Sequence, residues 1–231
     1  IVGQDTDGTV TPDDAGMGWA IGKAKADFVG KRSLARPDLS VLIAAHRLWR
    51  EVPEAVASVF RCADGAAVEV VVASDDGTDY AGVLPRDPRL RFTRVGPVAS
   101  GAHAARNRAL ALAAGAHVLM LDGDDALEGP PGAIAGALAM AGASGAVLVP
   151  SVVRDANGVA VRRIPDLGTG RFGFAGWASA FASLHLLARR DLAPAFQPFR
   201  LIDYVLFDLS VLAAVGGAVP VADGLAYRYQ L

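Results

Sequence analysis

The sequence has a single cysteine, Cys62, no excess of either charge and no long run of strongly apolar residues. A lone thiol cannot close an internal disulfide. On the apolar side of a helix-spaced stretch it reads as a small buried hydrophobe in a reducing, cytoplasmic setting. With 22 Lys and Arg against 24 Asp and Glu, the net charge is −2 and the isoelectric point near 6.1. The basic residues are not clustered, so the counterion release that drives nucleic-acid binding has no source, and nucleic acid is excluded as a partner. Residues 129–153 carry no charge, but Ala and Gly dominate them and Pro130, Pro131 and Pro150 interrupt them. That stretch reads as a helix followed by a strand, not as a membrane span. The opening residues do not read as a secretory leader, and there is no internal repeat or low-complexity tail. What the chain does have is apolar substance: 52% of its 231 residues are hydrophobic and its mean hydropathy is +0.34, enough for one sizeable core with an appendage.

From residue 39 onward, short apolar runs alternate with helical spacing. VLIAA (41–45) reads as a buried strand, and Leu48, Val52, Ala55, Val56 and Val59 then recur at helical intervals. VEVVVA (68–73), LRFTRV (90–95) and HVLML (117–121) read as further strands, with a helix of strong formers over 104–114 closed by Gly115. Continuous apolar strands separated by helices predict an α/β doubly wound, mostly parallel sheet covered on both faces. Later, VLVPSVV and VAVRRI flank DANG, where Asn157-Gly158 favours a hairpin turn and predicts an antiparallel addition. Residues 201–215 return to helical spacing before Gly216 and Gly217, and VPVA and LAYRY read as closing strands.

Ligands of open α/β sheets sit beyond the carboxyl ends of the strands. Here those ends are acidic: one strand runs into Ser74-Asp75-Asp76-Gly77-Thr78-Asp79 and another into Asp122-Gly123-Asp124-Asp125. Two carboxylates flanking a small residue offer hard oxygen ligands to Mg²⁺ or Mn²⁺ while leaving positions for diphosphate oxygens, although a DxD tripeptide can also be a simple polar turn. Between the acidic loops, Ala104-Ala105-Arg106-Asn107 opens a helix.

In this order, VLIAAH, the DDGTD loop, the ARN helix and LDGDD resemble glycosyltransferase family 2, a family of GT-A fold. The resemblance spans about residues 39–231. It implies an inverting, metal-dependent transfer, of hexosyl type, from a nucleotide diphosphate sugar to a hydroxyl acceptor. UDP-sugars are the favoured donors, and polysaccharide biosynthesis is the setting. By that resemblance Ala45, Asp76, Arg106, Asp122 and Asp124 would bind the nucleotide sugar, with Asp122 and Asp124 also holding Mg²⁺ or Mn²⁺ and Asp125 supporting them. The family's base, an aspartate ahead of a late helix, corresponds to Asp203; Ile202 departs from the glutamate usual before it. The resemblance also implies a cytoplasmic enzyme that can associate peripherally with the inner face of a membrane and meet a lipid-linked acceptor. On residue type alone, Asp76 could instead cap a turn, Arg106 lie on a helix surface and Asp203 cap a helix. His46 and His103 read as solvated, His185 as structural, and Trp177 as either an acceptor wall or a core residue.

Residues 1–38 do not continue this pattern. They resemble a fragment of the aminomethyltransferase and sarcosine oxidase α-subunit family, too short to bury a core of their own. A catalytically weak nucleotide-binding module is the alternative to a working transferase, and a folate-linked aminomethyltransferase fragment the third reading.

Overall fold

The computed structural model describes residues 36–165, 170–180, 184–199 and 203–230. Its centre is a six-stranded sheet of order β3-β2-β1-β4-β10-β6. Here β1 is Leu39–Ala45, β2 Val68–Ser74, β3 Leu90–Thr93, β4 His117–Asp122, β6 Ala146–Val149 and β10 His185–Arg189. β1 pairs parallel with β2 and β4, and β2 parallel with β3, while β10 enters antiparallel between β4 and β6. A second sheet of order β5-β12-β7-β8 joins Ala126–Glu128, Ala226–Gln230, Ser151–Arg154 and Ala160–Ile164. A short ladder pairs β9 (Arg171–Gly173) with β11 (Ala218–Pro220).

The strands form where apolar runs are continuous, because both faces of the main sheet are covered. Val41, Ile43, Val70 and Val72 face a core built by α1 (Val52–Cys62) and α3 (Ala133–Ser144). Leu42, Val71, Val118 and Met120 face a second core built by α2 (Ala102–Leu112) and α5 (Asp203–Ala214). Each fully buried Val or Leu contributes roughly 1.5–3 kcal/mol relative to exposure. Of the remaining helices, α4 is Phe174–Ala180. Cys62 is buried, as expected of a structural thiol. Among the described residues no helix is long and apolar enough to cross a membrane.

The predicted doubly wound sheet with an antiparallel addition is therefore present, with two corrections of detail. VLVPSVV is not one strand: Pro150 separates β6, in the main sheet, from β7, which pairs with β12 and β8 in the other. SLHLL, read only for its histidine, supplies strand β10.

The helix that matters for the site, α2, is fastened at both ends. Its N-cap is Gly101, which has no capping side chain, and the carboxylate of Asp75 acts in its place. Asp75 accepts from the backbone N–H groups of Ser100 (3.0 Å) and Gly101 (3.0 Å) and from the Ser100 hydroxyl (2.8 Å), placing a negative charge where the helix exposes its donors. At the other end, Arg190 donates to Ala113 O (2.6 Å) and Arg36 to Ala114 O (2.9 Å), while Arg91 donates to Leu112 O. Cations there satisfy carbonyls that the helix leaves open. Below them, buried Glu69 accepts from Ser40 Oγ and Ala114 N, both at 2.6 Å. Gly115 fits so closely that a Cβ would lie 2.5 Å from Ser40 N. This polar knot seats the turn between α2 and β4, pairing the backbone N–H groups of Ala114 and Gly115 with Glu69 and Ser40.

Candidate active site

Ala45, Ser74 and Asp122 come level at the carboxyl edge of the main sheet, because Ala45 pairs with Ser74 and Ala44 with Asp122 in the parallel ladders. Everything acidic that the sequence singled out lies on this edge or faces it, and the residues divide sharply by what holds them.

Ala45 ends β1, buried, and its carbonyl accepts from Asp75 N at 2.8 Å. Asp75 is the buried member of its pair: besides anchoring α2 it receives Arg108 Nη2 at 3.3 Å. Asp76 is the accessible one. Its Oδ1 accepts from Ser74 Oγ (2.9 Å) and Thr78 N (2.9 Å), its Oδ2 from Arg47 N (2.6 Å) and the Tyr80 hydroxyl (3.2 Å). Burial opposes its charge, but the backbone donors of Thr78 and Arg47 and the Ser74 hydroxyl outweigh it and hold the carboxyl well below the usual carboxylate range. Tyr80 in turn packs its ring 5.4 Å from that of half-exposed Trp49, an aromatic the sequence reading passed over.

The second acidic loop turns tightly after β4. Gly123 lies against Leu48, Val52 and Ala44 O, and a Cβ there would come within 2.9 Å of Leu48 Cδ1 and 3.3 Å of Ala44 O, so the turn between the two aspartates is closely packed. Asp124 is exposed, Asp125 buried, and Asp122 partly covered, its backbone N–H donating to the Tyr227 hydroxyl at 2.6 Å. Behind Tyr227 the ring of His185 stacks at 3.7 Å, and its Nε2 lies 3.1 Å from the Tyr229 hydroxyl. Burial, with a smaller push from Arg106, drives the His185 imidazole down to about 4, so it is neutral and structural.

That neutrality has a pH consequence. Because His185 resists protonation until about pH 4 when folded, against 6.5 for the free group, the unfolded chain binds more protons across that window. Stability is expected to fall by about 3 kcal/mol from this group as pH drops from 6.5 to 4. Urea unfolding of wild type and His185→Phe across that range measures it; parallel pH profiles for the two proteins would refute it.

Arg106 is not on a helix surface. It is 7% exposed, with Nη1 2.5 Å from Asp203 Oδ2 and Nη2 2.7 Å from Asp122 Oδ1. Burial disfavours its charge, but Asp122 and Asp203 outweigh that and raise the guanidinium above its ordinary range. Asn107, next along, exchanges two hydrogen bonds with the backbone of Phe196 (2.8 and 2.9 Å). Asp203 begins α5, buried; Ile202 lies outside the described residues. The other acid of α5, Asp208, is pushed by burial well above the usual carboxylate range. Trp177 packs against the second core, leaving Phe174 as the exposed ring of FGFAGW.

No cluster of three or more His, Cys, Asp or Glu able to hold a metal occurs among the described residues. Asp122, partly covered, and Asp124, exposed, follow β4 on either side of a closely packed glycine, and their hard oxygens would suit a cation that takes its remaining ligands from a diphosphate, as Mg²⁺ commonly does.

The model of the family described as Glycosyl transferase family 2 matches residues 40–188. The chain belongs to that family. The family match contains Ala45, Asp76, Arg106, Asp122 and Asp124; Asp203 and Tyr227 lie beyond it. The fold of this chain is shared by TarS from S. aureus. TarS 1–349 superposes with a TM-score of 0.59 at 19% identity, covering 84% of this chain and 60% of that one. Its complexes with UDP (TM-score 0.56) and UDP-GlcNAc (0.57) are both 18% identical and cover 84% of this chain. A different likeness is local: sarcosine oxidase subunit alpha of Corynebacterium sp. strain U-96 is 51% identical over 87 residues, and that of strain P-1 45%. This stretch is 38% of the chain but 8% of those proteins' length. It is longer than the residues on either side of the family match, so it also runs into the transferase region.

Proposed function

We propose that this glycosyltransferase moves a sugar, with inversion, from a nucleotide diphosphate sugar to a hydroxyl acceptor, and that it needs Mg²⁺ or Mn²⁺. The observation that carries this reading is the convergence on one sheet edge of an ionised acid, Asp76, an exposed acid, Asp124, beside the partly covered Asp122, and a buried acid, Asp203, from a separate helix. The UDP and UDP-GlcNAc complexes of TarS favour a UDP-sugar as donor.

On this reading Asp76 and the end of β1 at Ala45 receive the nucleoside, and Asp122 and Asp124 are the residues that would hold the cation. A divalent cation there supplies charge neutralisation for the leaving group. Asp203 accepts the proton of the acceptor hydroxyl as that oxygen attacks the anomeric carbon from the face opposite the diphosphate. The new glycosidic bond forms as the bond to the diphosphate oxygen breaks, so configuration inverts in one displacement. All four oxygen positions of Asp76 are already used within the protein, so base recognition requires it to share one of them with the ligand.

Calorimetric titration with UDP and with GDP, each with and without Mn²⁺, tests the reading. UDP is expected to bind only with Mn²⁺, and Asp124→Ala to abolish that binding. A folded protein that binds neither nucleotide would overturn it.

A further inference from the structure

We propose that Arg106 is a positioning residue that couples the two halves of this site: its guanidinium holds the base Asp203 and the cation ligand Asp122 at once, so a divalent cation at Asp122 competes with it. The inference rests on the reading of Asp203 and Asp122 above.

An arginine that contacts a nucleotide needs donors free to turn toward it. Both terminal nitrogens of Arg106 are held by carboxylates, Asp203 at 2.5 Å and Asp122 at 2.7 Å, and the side chain is almost wholly buried, its Nε enclosed without a partner, so the fork is aimed at the two acids. Its backbone has no freedom to carry it elsewhere. Asp75 fixes the start of α2, three arginine side chains reach its last carbonyls and those just beyond, and Asn107 latches the neighbouring segment at Phe196. The two carboxylates come from distant parts of the chain, β4 and α5, and Arg106 hydrogen-bonds both. A planar fork can bridge two acids at fixed separation; a lysine ammonium supplies the charge without that geometry.

The charge count gives the coupling its sign. One guanidinium stands between two carboxylates, and a cation bound at Asp122 draws on the same oxygen charge. Each cation therefore weakens the other's hold on Asp122. Removing the guanidinium leaves Asp122 wholly to the metal but leaves Asp203 unplaced.

Three measurements on Arg106→Lys and Arg106→Gln test this: Mn²⁺ affinity without nucleotide, UDP affinity with saturating Mn²⁺, and kcat separately from donor KM. In R106K, kcat is expected to fall on the order of 100-fold, the scale of a misplaced catalytic group, with donor KM and UDP affinity little changed. In R106Q, Mn²⁺ is expected to bind about fivefold or more tightly than in wild type. Loss of UDP affinity in step with turnover, with Mn²⁺ affinity unchanged, would make Arg106 a nucleotide ligand and overturn the proposal. If R106Q does not fold, R106Q/D203N removes the stranded buried charge along with its partner. Unchanged Mn²⁺ affinity there, or no Mn²⁺ binding by any variant, overturns it as well. Tightened Mn²⁺ binding in a protein that neither binds UDP nor transfers sugar would instead sustain the coupling and defeat the transferase reading.

Discussion

Asp203→Asn is expected to lower kcat by about 10²–10⁴-fold, the usual worth of a general base, while UDP and Mn²⁺ affinities stay near those of wild type. The substitution is nearly isosteric, and its carbonyl oxygen can still accept from Arg106 Nη1, which lies 2.5 Å from Oδ2 in wild type. What disappears is the ability to take a proton from the acceptor hydroxyl. The result also separates a catalytic from a capping role, because Asn serves at a helix N-terminus about as well as Asp. An Asp203 that only started α5 would leave turnover unchanged in the Asn variant, and wild-type kcat there would sink the assignment. A protein that binds UDP but turns over neither as wild type nor as D203N would be the nucleotide-binding module, with a donor side lacking a working acceptor side.

The residues differ in how far a linear reading could reach them. Strands β1, β2 and β4 were legible because their burial on both faces demands unbroken apolar runs, and the acids after them were legible because such a sheet presents its strand ends to ligands. Strand β10 was not, since a short run such as HLLAR becomes a strand only by pairing with β4 and β6. Pro150 reads as a break in one strand, yet it marks the point at which the chain leaves one sheet for another. The role of Arg106 was beyond reach for the same reason: its partners are 16 and 97 positions away, and no periodicity brings them together. Asp203 itself came from resemblance to a family, not from spacing, and it is the three-dimensional link to Arg106 that ties it to the acidic edge. The tyrosines behind Asp122 carry no motif at all; Tyr227 was visible only as part of a closing strand, and its hydroxyl nonetheless receives the Asp122 backbone N–H.

The sharpest case is the pair Asp75-Asp76: the family resemblance nominated Asp76 alone, and only the structure shows that its neighbour Asp75 is buried and tied to the start of α2. Asp75→Ala is expected to destabilise the protein by about 3–5 kcal/mol, the cost of breaking a buried charged pair from one side. The carboxylate is buried, and its loss strands the N–H groups of Ser100 and Gly101 and the Ser100 hydroxyl, and leaves Arg108, which still donates to Ser74 O and Ser100 Oγ, without its counter-charge. It also removes the negative charge from the start of α2, whose own N-cap is a glycine. Asp75→Asn should fall between, because an amide retains one acceptor oxygen but turns a donor toward a backbone N–H. Asp76 sits one residue further along, where its carboxylate ties together the backbone of Arg47 and Thr78 and the Tyr80 hydroxyl at the rim of the site. Asp76→Ala should therefore cost UDP affinity more than fold. Urea midpoints at constant m-value, with amide exchange over 99–112, distinguish the two positions: the Asp75 variant should lose protection there first. Stability within about 1 kcal/mol of wild type for Asp75→Ala, less than a stranded buried donor ordinarily costs, would show that α2 is held by its arginine-capped end alone. Arg106 would then have no fixed platform from which to hold Asp122 and Asp203 in register.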